Sequence, residues 1–136
     1  LLEVASGWQL ERALIDAGID PLIVYTDGIN APELDRLTQP WLSAAGDALA
    51  MAITTATALL DLDAVVLDGA MSRGLLQRLV AHTRDALAAY PLVGIERPGR
   101  LEVGQVGAHA RALGAALLPL HTQFFPDKDI FLKQDL

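Results

Sequence analysis

The sequence contains no cysteine, which excludes disulfides, Cys-ligated zinc and a thiol nucleophile within these 136 residues. That composition fits a reducing, cytoplasmic setting. Basic residues are scarce as well: ten Lys and Arg stand against seventeen Asp and Glu, a formal charge of −7. A nucleic-acid surface needs clustered Lys and Arg to replace counterions, so this segment is not expected to bind DNA by itself. Long uncharged apolar runs are missing too. The longest, Ala48 to Leu60, has thirteen residues, whereas a membrane span needs about twenty, so it reads as a buried helix and no membrane partner is expected. No basic start followed by an apolar signal core is visible. The chain opens on "LLEV", without a methionine and already in patterned sequence, and so reads as a piece of a longer protein.

What is present is the composition of a folded domain: 52% apolar and 20% charged residues, enough for one domain over residues 1–136 with a real core. Ser6 is placed to cap a helix from Gly7 to about Ala17, which Gly18 would stop. The stretch "IDPLIVYTDGINAPEL" is ambiguous, since Leu22 to Tyr25 reads equally as strand or loop. From Pro40, which suits a first turn, a helix is expected with apolar or small residues on nearly every face, covered on both sides. Ala64 to Leu67 is a short apolar strand, and Ser72 caps a following helix with Arg73, Gln77, Arg78 and Arg84 facing out. Tyr90 and Pro91 would close that helix. A second strand is expected in "PLVGIERPG", then a last long helix from near Gly104. The alternation of helix and strand implies an α/β fold with parallel strands and crossover helices, its sheet incomplete within these residues.

"AVVLDGAMSRGLL" passes from strand through a glycine turn into a helix, the arrangement in which helix-start amides face an anion. It has neither G-x-G-x-x-G nor G-x-x-x-x-G-K-[ST], so a structural turn is favoured over a nucleotide site. Asp68 also puts a carboxylate where a phosphate would be repelled. His82, His109 and His121 lack ligand-spaced partners and are read as ordinary residues, with no metal site. Asp61 and Asp63 sit at a helix exit, where Asp commonly bonds locally, whereas Asp68 projects from a strand end, where sites of open α/β sheets gather. The small residues of "GAHARALGAA" permit close packing against a sheet or a sister helix. No Ser-His-Asp set, redox pair or aromatic platform is present.

Three stretches, "ASGWQL", "AVVLDGAMSRGLL" and "GAHARALGAALLPLHTQFF", together resemble the C-terminal half of ROK proteins, in order and spacing. That family holds sugar-responsive bacterial repressors and sugar kinases on the actin-like, ribonuclease-H-like ATPase fold. The resemblance implies that a zinc-binding cysteine cluster, the catalytic aspartate, a sugar-contacting Glu-x-Gly-His and any DNA-binding helix-turn-helix lie upstream. DNA would then be reached only through that upstream domain, and no catalytic or metal residue lies in this segment. Glu3 is the nearest candidate for a sugar-contacting glutamate, although an ungapped alignment on "ASG" puts Leu2 there. In the kinases the strand matching Ala64–Leu67 ends in paired glycines beside the adenosine; here the pair reads Asp68-Gly69. With Ala70, these residues mark a vestigial nucleotide turn. The resemblance implies a cytoplasmic, homo-oligomeric transcriptional regulator that senses a sugar or sugar derivative and needs no cofactor in this segment. The alternative is an ATP- and magnesium-dependent sugar kinase.

Overall fold

A computed structural model describes residues 1–89 and 100–124. The described residues are mostly helical, with one small two-stranded parallel sheet. A short helix α1 (Leu2–Ala5) leads into α2 (Gly7–Asp16), followed by three 3-10 turns at Pro21–Tyr25, Asp27–Asn30 and Pro32–Leu34. The long helix α3 (Asp35–Leu60) then runs to strand β1 (Ala64–Leu67), helix α4 (Arg73–Ala89) and strand β2 (Arg100–Val103). A final 3-10 turn, Gly107–His109, precedes helix α5 (Ala110–Phe124).

Several boundaries follow from local chemistry. Ser6 Oγ accepts from the Trp8 amide at 3.2 Å, satisfying one of the donors that a helix start leaves open. At the other end of α2, Gly18 takes φ +74°, and the Ile19 amide reaches back to the Leu14 carbonyl at 2.9 Å. This six-to-one closure needs a left-handed residue, which glycine supplies without a Cβ clash. Ser72 caps α4 by accepting from the Leu75 amide at 3.2 Å.

Other boundaries fall elsewhere than the sequence suggests. Helix α3 begins at Asp35, one turn before Pro40, which lies inside it. Pro40 cannot donate to the carbonyl four residues back, but distant partners hold the extra turn in place. Arg78 of α4 pairs with Asp35 at 2.6 Å and donates to Thr38 Oγ1 at 3.2 Å. Arg78 is therefore half-buried rather than facing out. Leu22–Tyr25 is neither strand nor open loop but part of a 3-10 turn, started by Asp20 accepting from the Leu22 amide at 2.9 Å. The strand expected over residues 91–99, the helix stop at Tyr90 and Pro91, and most of the charged tail lie outside the described residues. The observed second strand is Arg100–Val103, immediately beyond Gly99.

One core joins α2, the 3-10 turns, α3 and α4. Leu10, Leu14, Val24, Ile29, Leu42 and Leu75 are buried to 2% exposure or less. Burying such a side chain is worth about 1.5–3 kcal/mol. Trp41 joins this cluster and satisfies its indole N–H on the Ser6 carbonyl at 3.1 Å. Where α3 crosses α4, Gly46 lets the two helices close up: a Cβ there would stand 3.0 Å from His82 Cβ and 3.2 Å from the Thr83 nitrogen.

A smaller cluster, Ala50, Ile53 and Leu87, receives Val65, Leu67 and Leu101 from one face of the sheet. β1 and β2 are parallel, in register Ala64↔Arg100 to Leu67↔Val103, with α4 in the connection. This is the crossover arrangement expected of an α/β unit. The other sheet face is open, with Val66 62% exposed. The expectation that α3 is covered on both sides fails: Gln39, Pro40, Ser43, Ala44, Asp47, Met51 and Thr55 leave one face exposed along its length, and Leu59 and Leu60 are uncovered at its end. The segment Pro32–Leu60 is long and apolar enough to cross a membrane by length and mean hydropathy, which the thirteen-residue run alone was not. In this fold the buried face of α3 instead lies on α2 and α4.

Candidate functional site

β1 delivers Asp68 to the turn between strand and helix α4, and that carboxylate is fully engaged. Its Oδ1 accepts from the Gly69 amide at 2.8 Å and the Gly107 amide at 3.0 Å. Its Oδ2 accepts from the Val106 amide at 2.9 Å and again from Gly107 at 3.1 Å. Three amides from two loops thus converge on one side chain. The bond from Gly107 does most to hold the Asp68 carboxyl below the usual carboxylate range; desolvation opposes it, and the bonds from Val106 and Gly69 with the nearby Arg73 guanidinium tip the balance downward.

Neighbouring backbone contacts complete the junction. The Gly104 amide donates to the Leu67 carbonyl at 2.6 Å, and Arg73 Nη1 donates to the Gly104 carbonyl. A Cβ on Gly104 would overlap the Asp68 Cβ and carboxyl carbon, so glycine is required there by close approach. Gly107 is required for another reason, a φ of +56°. Gly69 is not: its φ is ordinary and an added Cβ would meet only Met71 Cε at 3.4 Å. The glycine that the sequence singles out is the dispensable one, and the two that the turn needs lie more than thirty residues on.

Beside this junction lies an open cleft of about 450 Å³ between Tyr25, the turn Asp68–Ala70, and the start of α5 at Gly107, Ala108, Ala110 and Arg111. It has one aromatic ring, one guanidinium, the Asp68 carboxylate and otherwise small residues or backbone. Tyr25 donates its hydroxyl to Glu11 at 2.6 Å, and this bond, with partial burial and the Glu11 charge, raises the phenol above its usual range while Arg111 opposes the shift. Such a cleft can take a flat or small polar group. The amides of Gly69, Val106 and Gly107 beside it are already bonded to Asp68.

Asp68, Gly69 and Ala70 line this cleft together with Tyr25, Gly107 and Arg111, which no local motif marks. Glu3 is elsewhere. It lines a separate, shallow depression with Ser6, Trp8 and Gln9 on α1 and α2. There Trp8 is exposed and carries the Arg12 guanidinium 5.4 Å from its ring centre. Asp61 takes a left-handed φ of +50° at the C-cap of α3, where its backbone amide donates to the Thr57 carbonyl. His82 is half-buried beside Gly46, while His109 and His121 lie on exposed turns of the last segment. Among the described residues no three His, Asp or Glu side chains gather as a metal site.

Comparison with known proteins adds no family to this geometry: no family model, no curated protein and no solved structure matches the chain.

Proposed function

We propose that this chain is part of a sugar-responsive transcriptional regulator of the ROK type, on an actin-like, ribonuclease-H-like fold whose nucleotide side is closed. The reading rests on the three stretches "ASGWQL", "AVVLDGAMSRGLL" and "GAHARALGAALLPLHTQFF" and on one structural observation. The Asp68 carboxylate occupies the amides of Gly69, Val106 and Gly107 that a phosphate oxygen would need. A triphosphate at this turn would meet an ionised carboxylate in place of free donors, a repulsion of about 1 kcal/mol per charge pair in water and more where water is excluded. The residues present therefore do not fit ATP phosphates. In this reading the protein is cytoplasmic and homo-oligomeric, takes a sugar or sugar derivative as effector, and reaches DNA through an element outside these residues.

The cleft itself favours a second reading, a sugar kinase of the same family. Tyr25 and Arg111 flank the turn with the aromatic surface and positive charge a nucleotide would use. Two measurements on the full-length protein separate the readings: calorimetry with ATP and magnesium, and a sugar-phosphorylation assay. Weak or absent ATP binding, no sugar-dependent turnover and a sugar-dependent change in operator binding are expected. Tight ATP binding with turnover would promote the kinase.

A further inference from the structure

Helix α5 raises a question that packing does not answer: what sets its direction? None of its residues is buried, and Leu113, Leu117, Leu118 and Leu120 stand 45% to 63% exposed. Apolar contact with the rest of the described fold therefore cannot orient it. The chain enters α5 through a single 3-10 turn whose first residue, Gly107, has the positive φ that makes a pivot. The two amides at that pivot, Val106 and Gly107, are the ones bonded to Asp68. Asp68 itself directly follows β1, which is anchored by Val65 and Leu67 packed against the second core cluster.

From this geometry we infer that Asp68 is the latch of a hinge at Val106–Gly107, and that it holds α5 in one orientation relative to β1 and α4. The latch has two supporting parts. Gly104 leaves room for the carboxylate, since a Cβ there would displace it. Arg73, from α4, clips the Gly104 carbonyl and so fixes the loop from the other side. The titratable groups around the latch are Arg73 from α4, Arg111 from α5 and Tyr25 from the first 3-10 turn. Asp68 is the only carboxylate among the cleft-lining residues. At neutral pH it is ionised and the latch is closed. Neutralising it removes the charge that makes these amide bonds strong, and the pivot is then free to turn.

The test is a distance measurement between nitroxide labels at Gln77 on α4 and Ala116 on α5, both exposed positions, in the full-length protein. Wild type is expected to give one narrow distribution at pH 7. Asp68→Ala should broaden or shift it, and Gly104→Ala, which pushes the carboxylate off its donors without removing it, should do the same. Hydrogen exchange supplies a second readout: amides of residues 104–110 should exchange at least about tenfold faster in D68A, as local opening predicts, while peptides from α2 and α3 keep their wild-type rates. Should D68A speed exchange everywhere, the isosteric Asp68→Asn decides, with faster exchange confined to the hinge expected. An unchanged distance distribution in D68A and G104A, or hinge amides in D68N that exchange at the wild-type rate, overturns the latch.

Discussion

The two ends of this chain are held by different forces. From α2 to the middle of α4, side chains such as Leu10, Leu14, Leu42 and Leu75 are fully buried in one cluster. In the two strands and beyond α4 the burial thins: no residue of β1 or β2 is fully buried, and α5 has no buried side chain at all. There the fold relies on directed hydrogen bonds: Asp68 to the 106–107 turn, Arg73 to Gly104, and Arg84 to the Leu101 carbonyl at 3.1 Å. A burial-driven region tolerates loss of any one hydrogen bond but not of volume. A region placed by hydrogen bonds behaves the other way round.

The sharpest way to break this contrast is a matched pair of truncations. Leu42→Ala should cost about 2–5 kcal/mol in urea unfolding, because the vacated volume lies in the first cluster. Leu117→Ala should change stability by no more than about 0.5 kcal/mol, as an exposed substitution. Equal costs in the full-length protein would mean that α5 is buried against something outside the described residues. Next in size is Gly46→Ala. The added methyl meets His82 and Thr83 backbone where α3 and α4 cross, and overpacking of this kind costs about 1–3 kcal/mol. Alanine's better helix propensity returns about 1 kcal/mol, so a net loss of about 1 kcal/mol is expected by thermal or urea melting.

Acid should affect the second region before the first. The Asp68 carboxyl is depressed in the fold, so its stabilising effect is complete above the unfolded carboxyl value of about 4 and is lost as pH falls through the lower folded value. Amide shifts of Val106 and Gly107 followed by NMR should move in that acid range, whereas those of Leu10 and Leu14 should not. The smallest effect is expected at Asp61. Its left-handed φ strains a residue with a Cβ, and Asp61→Gly should stabilise the end of α3 by about 1 kcal/mol or less, read as a rise in melting temperature.

The same contrast explains what could be read from residues alone. The caps at Ser6 and Ser72 and the stop at Gly18 rest on neighbours a few positions away, and the strand Ala64–Leu67 shows as a short apolar run bounded by Asp, so all are legible. The start of α3 is not, because its first turn depends on Arg78, more than forty residues later. The site behaves likewise. That Asp68 matters is visible at a strand end. That its carboxylate is bonded to Val106 and Gly107, and that Gly104 rather than Gly69 must be glycine, depends on parallel pairing that no local pattern encodes. The strand at Arg100–Val103, with alternating exposure and two charged residues, carries too little apolar signal to stand out.

The register of the sheet has a consequence for the order in which the chain acquires its structure. Each β1–β2 pair joins residues thirty-six positions apart, so the sheet cannot form until a long loop has closed, and that closure entropy is lost before any ladder bond returns it. The contacts of α2 with the following 3-10 turns are nearer in sequence, and those of α3 with α4, though as far apart as the strand pairs, belong to the larger cluster of buried side chains. The helical body should therefore assemble first and offer Val65 and Leu67 a surface on which β2 then adds. Refolding rates should respond to truncation of Leu79 and be nearly indifferent to truncation of Leu101, whose loss would show mainly as faster unfolding.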